Sequence, residues 1–377
     1  MAKHALLSAS ASYRWLACPP SARLCAKYED KGSEYALQGT DAHTLCEYKL
    51  KDALGMKCSN PTENLSYYDA EMEDCTEGYA AYVVEQMLEL EKVCPDVLVL
   101  VEQHLNFSKY VPEGFGTGDC VIVSDGVLHI IDYKHGSHLV DAKDNPQLMC
   151  YALGALEMFD GIYNIDTVRM TIYQPRRSNV STFSLFRDEL LIWAKDVLAP
   201  IAALAFKGEG EFKAGGHCQF CKAKASCRKR AEYNLELARY DFEMPATLQK
   251  EEIAVILAKV DDLVSWANDV KDYALAEALK GAKFDGFKLV AGRSSRKYVD
   301  EKKVAEVVSV AGYEPYEQKL LGITAMTSAL GKKKFEELLG NLTYKPQGKP
   351  TLVPVSDKRK ELNTINDDFK EEINHEK

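Results

Sequence analysis

The stretch G-T-G-D-C-V-I-V-S-D-G-V-L-H-I-I-D-Y-K, from Gly116 to Lys134, decides how the rest of the chain is read. Two apolar, β-branched runs, Cys120–Val123 and Val127–Ile131, flank the pair Asp125-Gly126. That pattern predicts a β-hairpin, because Asp and Gly tolerate the φ > 0 that both turn positions require. Asp119 opens the first strand, and Asp132, Tyr133 and Lys134 close the second. Side chains alternate along a strand, so Tyr133 points away while Asp132 and Lys134 share a face. Two carboxylates and an ammonium at a hairpin's rim suit a hard cation such as Mg²⁺ or Mn²⁺ and an attacking water. They equally suit a solvated Asp–Lys pair on a surface hairpin, and other stretches decide between the two.

With 377 residues the chain can bury one large core or two ordinary ones. No apolar run approaches membrane-spanning length, and the N-terminus is too short for a secretion signal, so a cytoplasmic protein is expected. The net charge of −10 excludes a broadly basic nucleic-acid coat but leaves room for local basic strips. Eleven cysteines, an odd number without an export signal, point to metal binding before disulfides.

Upstream, Ser10 to Pro20 predicts a short helix carrying Trp15 and stopped by Pro19 and Pro20 just after Cys18. Gly39-Thr40 reads as a helix start with Thr40 as N-cap, which puts His43 and Glu47 one turn apart on one face. His43 there is a metal ligand, a capping group or a core residue. Asp69 to Lys92 predicts an amphipathic helix with Tyr79, Tyr82, Val83, Met87 and Leu90 on its apolar side. Residues Val97 to Phe107 read as a strand containing Glu102, which is a further metal ligand, a support to the ligands from close by, or an outward-facing acid on an alternating strand.

After the hairpin, Asp144 to Ala152 opens a helix with Pro146 in its first turn and Gln147 and Tyr151 on one face. Strands at Thr167–Tyr173 and Thr182–Phe186 follow, joined by a loop whose Arg176 and Arg177 suit phosphate contacts, and then a helix around Glu189–Phe206. This order predicts a mixed α/β sheet with helices packed on it. Cys218, Cys221 and Cys227 then give a C-x2-C-x5-C spacing that suggests a soft metal. The fourth ligand is either neighbouring His217, giving zinc, or distant Cys18, giving an all-thiolate site suited to a 4Fe–4S cluster. Lys222, Lys224, Arg228, Lys229 and Arg230 make this edge basic, a natural bed for a nucleic-acid backbone.

Beyond Asp241, Glu252–Lys280 reads as one helical stretch with a two-per-heptad seam, Ile253 to Ala274, followed by helices near Lys303–Ala311 and Ala329–Leu339. The expected organisation is a sheet domain over 1–240, an α-rich appendage over 241–344 and a mobile charged tail over 345–377.

Taken together the chain resembles the PD-(D/E)XK nuclease superfamily, most closely its RecB-like, AddB-like branch with an iron–sulfur clasp. The resemblance covers about residues 8–232 and rests on motifs in the family's order. They are S-x-S-x-x-x-W-x-x-C-P at Ser10–Pro19, G-x-x-x-H-x-x-x-E at Gly39–Glu47 and G-x-x-D at Gly116–Asp119. D-Y-K at Asp132–Lys134, Q-x-x-x-Y at Gln147–Tyr151 and the cysteine spacing complete the series. The chain is also similar to a family of bacteriophage and prophage proteins regarded as recombination nucleases. No proline precedes Asp119 where the superfamily often has one, and no Walker-type G-x4-G-K-[ST] is present, so any unwinding falls to another protein.

The resemblance implies a restriction-endonuclease-like mixed sheet flanked by helices, with an Fe–S clasp and an α-rich C-terminal appendage. It implies a Mg²⁺- or Mn²⁺-dependent DNase, most simply an exonuclease at DNA ends. Its partners would be DNA ends or single strands and a separate helicase or single-strand annealing protein. His43, Asp119, Asp132 and the main-chain carbonyl of Tyr133 would hold the metal, and Lys134 would be the catalytic lysine. Gln147 and Tyr151 would organise the site and the DNA strand. Cys18, Cys218, Cys221 and Cys227 would hold a structural 4Fe–4S cluster. A non-catalytic DNA-binding scaffold and a zinc-binding structural protein are the rival expectations.

Overall fold

The computed structural model describes residues 5–28, 34–236, 248–290, 299–316 and 320–344. Contacts divide the chain into two units, Met1–Ala282 and Lys283–Lys377, whereas the sequence suggests a boundary near 240. The expected tail and the segment 293–298 lie outside the described residues.

The first unit is a mixed α/β structure around a five-stranded sheet in the order β1 (Leu98–Asn106), β2 (Phe115–Ser124), β3 (Gly126–Tyr133), β4 (Ile165–Gln174) and β5 (Asn179–Phe186). All neighbours are antiparallel except β3 and β4, which run parallel and are joined through helix α5 (Pro146–Phe159). A parallel pair needs such a crossover. Helices cover both faces. On one side lie α5, α1 (Ser12–Ala17), α2 (Ser21–Cys25) and the run α6 (Arg187–Trp193) and α7 (Ala199–Lys207), where Trp15, Leu105, Val121, Ile130, Tyr151 and Met170 form one core. On the other lie α3 (Glu34–Ala53) and α4 (Ala70–Glu91), whose Leu45, Leu50, Tyr79 and Val83 bury Cys120, Ile122, Ile131 and Tyr133. A sheet buried on both faces explains the near-continuous apolar runs of β2 and β3.

Local chemistry accounts for most boundaries. Asp69 caps α4 by accepting the Met72 N–H (2.7 Å). Asn145 caps α5 by accepting from Gln147 and Leu148, with Pro146 at the first helical position. The hairpin turns at Asp125-Gly126, but only Gly126 is left-handed (φ 87°). Asp125 keeps negative φ while its carboxylate accepts the Asn164 N–H (2.9 Å). The hairpin's first strand also begins earlier than expected, at Phe115 rather than Asp119.

Three expected helices differ. Thr40 is not an N-cap: α3 begins at Glu34 and runs through Gly39-Thr40, with Thr40 Oγ1 donating to the Ala36 carbonyl (3.0 Å). The stretch near 252–280 is two helices, α8 (Arg228–Leu235) being followed by α9 (Lys250–Leu257) and α10 (Val260–Leu279), which break at Ala258-Lys259. The run from Arg187 to Lys207 contains a π-helical segment at Ala194–Leu198. In the second unit α11 (Glu301–Val310), α12 (Ile323–Leu330) and α13 (Lys332–Leu339) are the regular elements, and Phe335 of α13 is buried. Among the described residues no helix is long and apolar enough to cross a membrane.

One buried polar trio ties β3, β4 and β5 together. His129 is fully buried, its Nε2 lies 2.8 Å from Thr171 Oγ1, and Thr171 pairs with Thr182 (2.9 Å). Burial, aided by the Arg169 charge, pushes the imidazole down to about 3. The folded state therefore binds fewer protons than the unfolded one below pH about 6.5, and stability should fall as pH drops from there towards 3. Melting temperatures measured across that range should fall steeply for the wild type and less so for His129→Gln.

Candidate metal centre

The centre forms where the sheet's regularity breaks. β1 and β2 keep one register throughout, pairing Val101 with Cys120 and Gln103 with Gly118, but Glu102 and Asp119 drop out between them. Glu102 takes a left-handed backbone (φ 52°) inside a strand. Alternation slips at this rung on both strands. Val101 and Cys120 pack toward α3 and α4, while Leu105 and Gly118 pack toward α5. A non-glycine residue at positive φ is strained by about 1–3 kcal/mol. Here the strain places two carboxylates side by side.

His43, from the middle of α3, reaches this rung. Its Nδ1 lies 3.2 Å from Asp119 Oδ1, and its ring meets the buried Tyr133 ring edge-on at 5.7 Å. One ligand atom each from His43, Glu102 and Asp119 lies within 4.8 Å of the others. The second oxygen of Asp119 accepts the Tyr133 N–H (2.7 Å), which fixes the carboxylate to β3. Glu47, one turn along α3, pairs with Lys51 (2.6 Å) and adds negative potential at Glu102.

Without a cation this group stores protons and opposed charges. The Asp119 charge, against burial, raises the His43 imidazole to about 9. Burial, with Asp119 close by, raises Glu102 to about 7. Burial opposes ionisation of Asp119, but His43, Lys134 and the Tyr133 N–H together outweigh it and hold that carboxyl below its ordinary value. A divalent cation would replace the proton on His43 and relieve the carboxylate repulsion, so the donor set of one imidazole and two carboxylates fits Mn²⁺ or Mg²⁺.

Asp132 and Lys134 do share a face at the end of β3. Lys134 Nζ lies 2.8 Å from Asp132 Oδ2 and forms an ion pair with it. Nζ also donates to Gln147 Oε1 (3.0 Å). Gln147 Nε2 donates to Asp132 Oδ1 (3.1 Å) and to the Tyr151 hydroxyl (3.2 Å). Burial raises the Asp132 pKa. Burial works against the Lys134 ammonium, but Asp132 and Asp119 outweigh it and raise its pKa. The α5 pair is thus the clamp that orients the β3 pair.

The glycines before Asp119 make room for that clamp. A Cβ on Gly116 would sit 2.8 Å from Tyr151 Cε1, and one on Gly118 2.9 Å from Leu105 Cδ1. Gly116→Ala should displace the Tyr151 ring and lower stability by about 1–3 kcal/mol. Urea unfolding of the variant would measure this.

Cys18, Cys218, Cys221 and Cys227 line one small cavity together with His217, Lys224 and Arg230. Cys18 arrives from the end of α1, two hundred residues before the other three. His217 Nε2 lies 3.0 Å from the Lys213 carbonyl oxygen and 3.8 Å from Cys218 Sγ. Cys25 was not singled out by its sequence context, yet its Sγ lies 3.5 Å from that of Cys221. Among the described residues no three of these ligand atoms lie within 4.8 Å of one another.

The expected DNA-binding cations divide. Lys224 (2.7 Å) and buried Arg230 (2.5 Å) both pair with Asp269, which fastens α10 to the cysteine loop. Arg176 pairs with Glu71 of α4 (3.1 Å). Arg177, Lys222 and Arg228 are exposed.

Comparison with known proteins matches residues 4–360 to the family described as "Protein of unknown function (DUF2800)". The chain belongs to the DUF2800 family. Among solved structures, this DUF2800 chain is similar to the one titled "Crystal structure of SSO0001", with 12% identity and a TM-score of 0.24. That match covers 49% of this chain and 94% of the other.

Proposed function

We propose that this protein is a divalent-metal-dependent deoxyribonuclease of the RecB-like PD-(D/E)XK type, acting on DNA ends in recombination or DNA processing, as phage-encoded relatives of that type would. The observation that carries the reading is the meeting of His43 with Asp119 beside the Asp132–Lys134 pair, from three separate elements, α3, β2 and the end of β3. His43, Glu102 and Asp119 would hold the cation, with Asp132 and the Tyr133 main chain at its border. Glu102 thereby moves from a supporting position into the ligand set. A bound Mg²⁺ or Mn²⁺ would supply Lewis acidity at the phosphate and a water of lowered pKa.

The protein's own contribution is placement and charge. Lys134, kept protonated by Asp132 and Asp119, can orient the attacking water and offset negative charge gathering on the phosphate. Gln147 holds both Lys134 and Asp132, so neither swings away when the cation is absent. Tyr151 sets Gln147 in turn.

The cysteines would hold a structural 4Fe–4S cluster. A single tetrahedral zinc, with Zn–S near 2.3 Å, draws its ligands to about 3.8 Å of one another. Four cysteines spread around a common cavity suit a larger group.

A time course on end-labelled linear, circular and single-stranded DNA with Mg²⁺ and with Mn²⁺ tests the reading. Metal-dependent loss of linear substrates is expected. Binding without cleavage under every metal would favour the non-catalytic scaffold instead.

A further inference from the structure

An open groove at the head of β2 takes no part in the metal centre. It is lined by Tyr13 of α1, Phe115 at the start of β2, Phe220 of the 3₁₀ turn Gly216–Phe220, and by Arg14, Lys222 and Glu113. Tyr13 and Phe220 are 54% and 56% exposed, so the fold does not use their rings as core. Phe115 and Phe220 are nonetheless braced. Phe115 stacks on His104 at 5.3 Å, and Phe220 meets His138 edge-on at 6.4 Å. Arg14 is fixed by donating to the carbonyl and hydroxyl of Ser21 (2.8 and 2.9 Å).

We propose that this groove is a stacking platform for single-stranded DNA. The proposal rests on the nuclease reading and adds to it the form of strand the protein grips. Unpaired bases offer π-faces to aromatic rings, whereas bases inside a duplex have theirs covered. Among the described residues that line it, Arg14 and Lys222 are the cations and Glu113 the acid. The lining thus sets a guanidinium and an ammonium beside the rings, the groups a phosphate backbone meets. It also leads somewhere. β2 runs from Phe115 in the groove to Asp119 at the metal centre, four residues and about 13 Å on. A strand stacked on Tyr13 and Phe220 would present its continuation to that centre.

The test is fluorescence anisotropy of a labelled oligo-dT in EDTA, which separates binding from cleavage. Tyr13→Ala/Phe220→Ala should bind roughly ten- to a hundredfold more weakly for each ring removed. The Tyr13→Phe/Phe220→Tyr variant should bind as wild type, since stacking survives. A duplex of equal length should bind wild type and the alanine variant alike. Equal oligo-dT affinity in wild type and the alanine variant overturns the proposal, as does a wild type that binds no single strand. Equal losses for duplex and single strand also overturn it. The nuclease reading fails separately: oligo-dT binding that depends on the two rings, in a protein that cuts nothing with any metal, leaves the platform standing and removes the enzyme.

Discussion

Asp119→Ala is expected to abolish metal-dependent digestion of linear DNA, with a fall of roughly a thousandfold or more, in a protein that keeps the wild-type circular dichroism spectrum but melts lower, because a buried N–H loses its acceptor. Asp119 lies within reach of Glu102 and His43 as a cation ligand, and its second oxygen holds the Tyr133 N–H. Its loss removes a ligand and frees the end of β3 at once. Lys134→Ala should reduce cleavage by on the order of 10²–10³-fold with little change in metal affinity, because the ammonium acts on water and phosphate rather than on the cation. Glu102→Gln separates the two roles. It should weaken Mn²⁺ binding, measured by calorimetry, more than it slows turnover at saturating metal. Digestion that survives in both Asp119→Ala and Lys134→Ala would remove the assignment of the site.

Cys18→Ala carries the second large effect. Anaerobically purified wild type should be brown from a thiolate-bound cluster, and the variant should be colourless. It should also melt lower by roughly 10 °C or more, since Cys18 is the strand of the clasp that comes from the far end of the unit. Cys25→Ala is the informative control. Cys25 touches Cys221 but does not line the cavity, so its removal should leave the colour in place. A colourless wild type that binds one equivalent of zinc would replace the cluster with the rival metal.

The hairpin and its Asp132–Lys134 face were legible because strand alternation is local and strict. So was α4, whose start is written in Asp69 and whose buried stripe follows a 3.6-residue period. The beginning of α3 was not. Gly39 suggests a boundary, but the flanking Ala36, Leu37 and Gln38 favour helix, and one internal glycine costs only about 1 kcal/mol. The break at Ala258-Lys259 carries no glycine or proline to announce it. At the site, His43 was legible as a residue type and spacing, but its meeting with Asp119 is a tertiary event. Glu102 was harder still. Its left-handed backbone has no local signature, since the apolar odd positions of β1 continue on both sides of the slip. Cys25 gains its meaning only from a sulfur that lies 196 residues away along the chain.

The left-handed rung at Glu102 also bears on how such proteins drift over generations. Glycine adopts that backbone freely, so a lineage with no use for a carboxylate at this rung gains stability by exchanging the glutamate for it. Under the proposed reaction, a lineage that cuts DNA would keep the less comfortable residue. What stands at position 102 in descendants of this chain would then separate those that bind a cation there from those that keep only the fold.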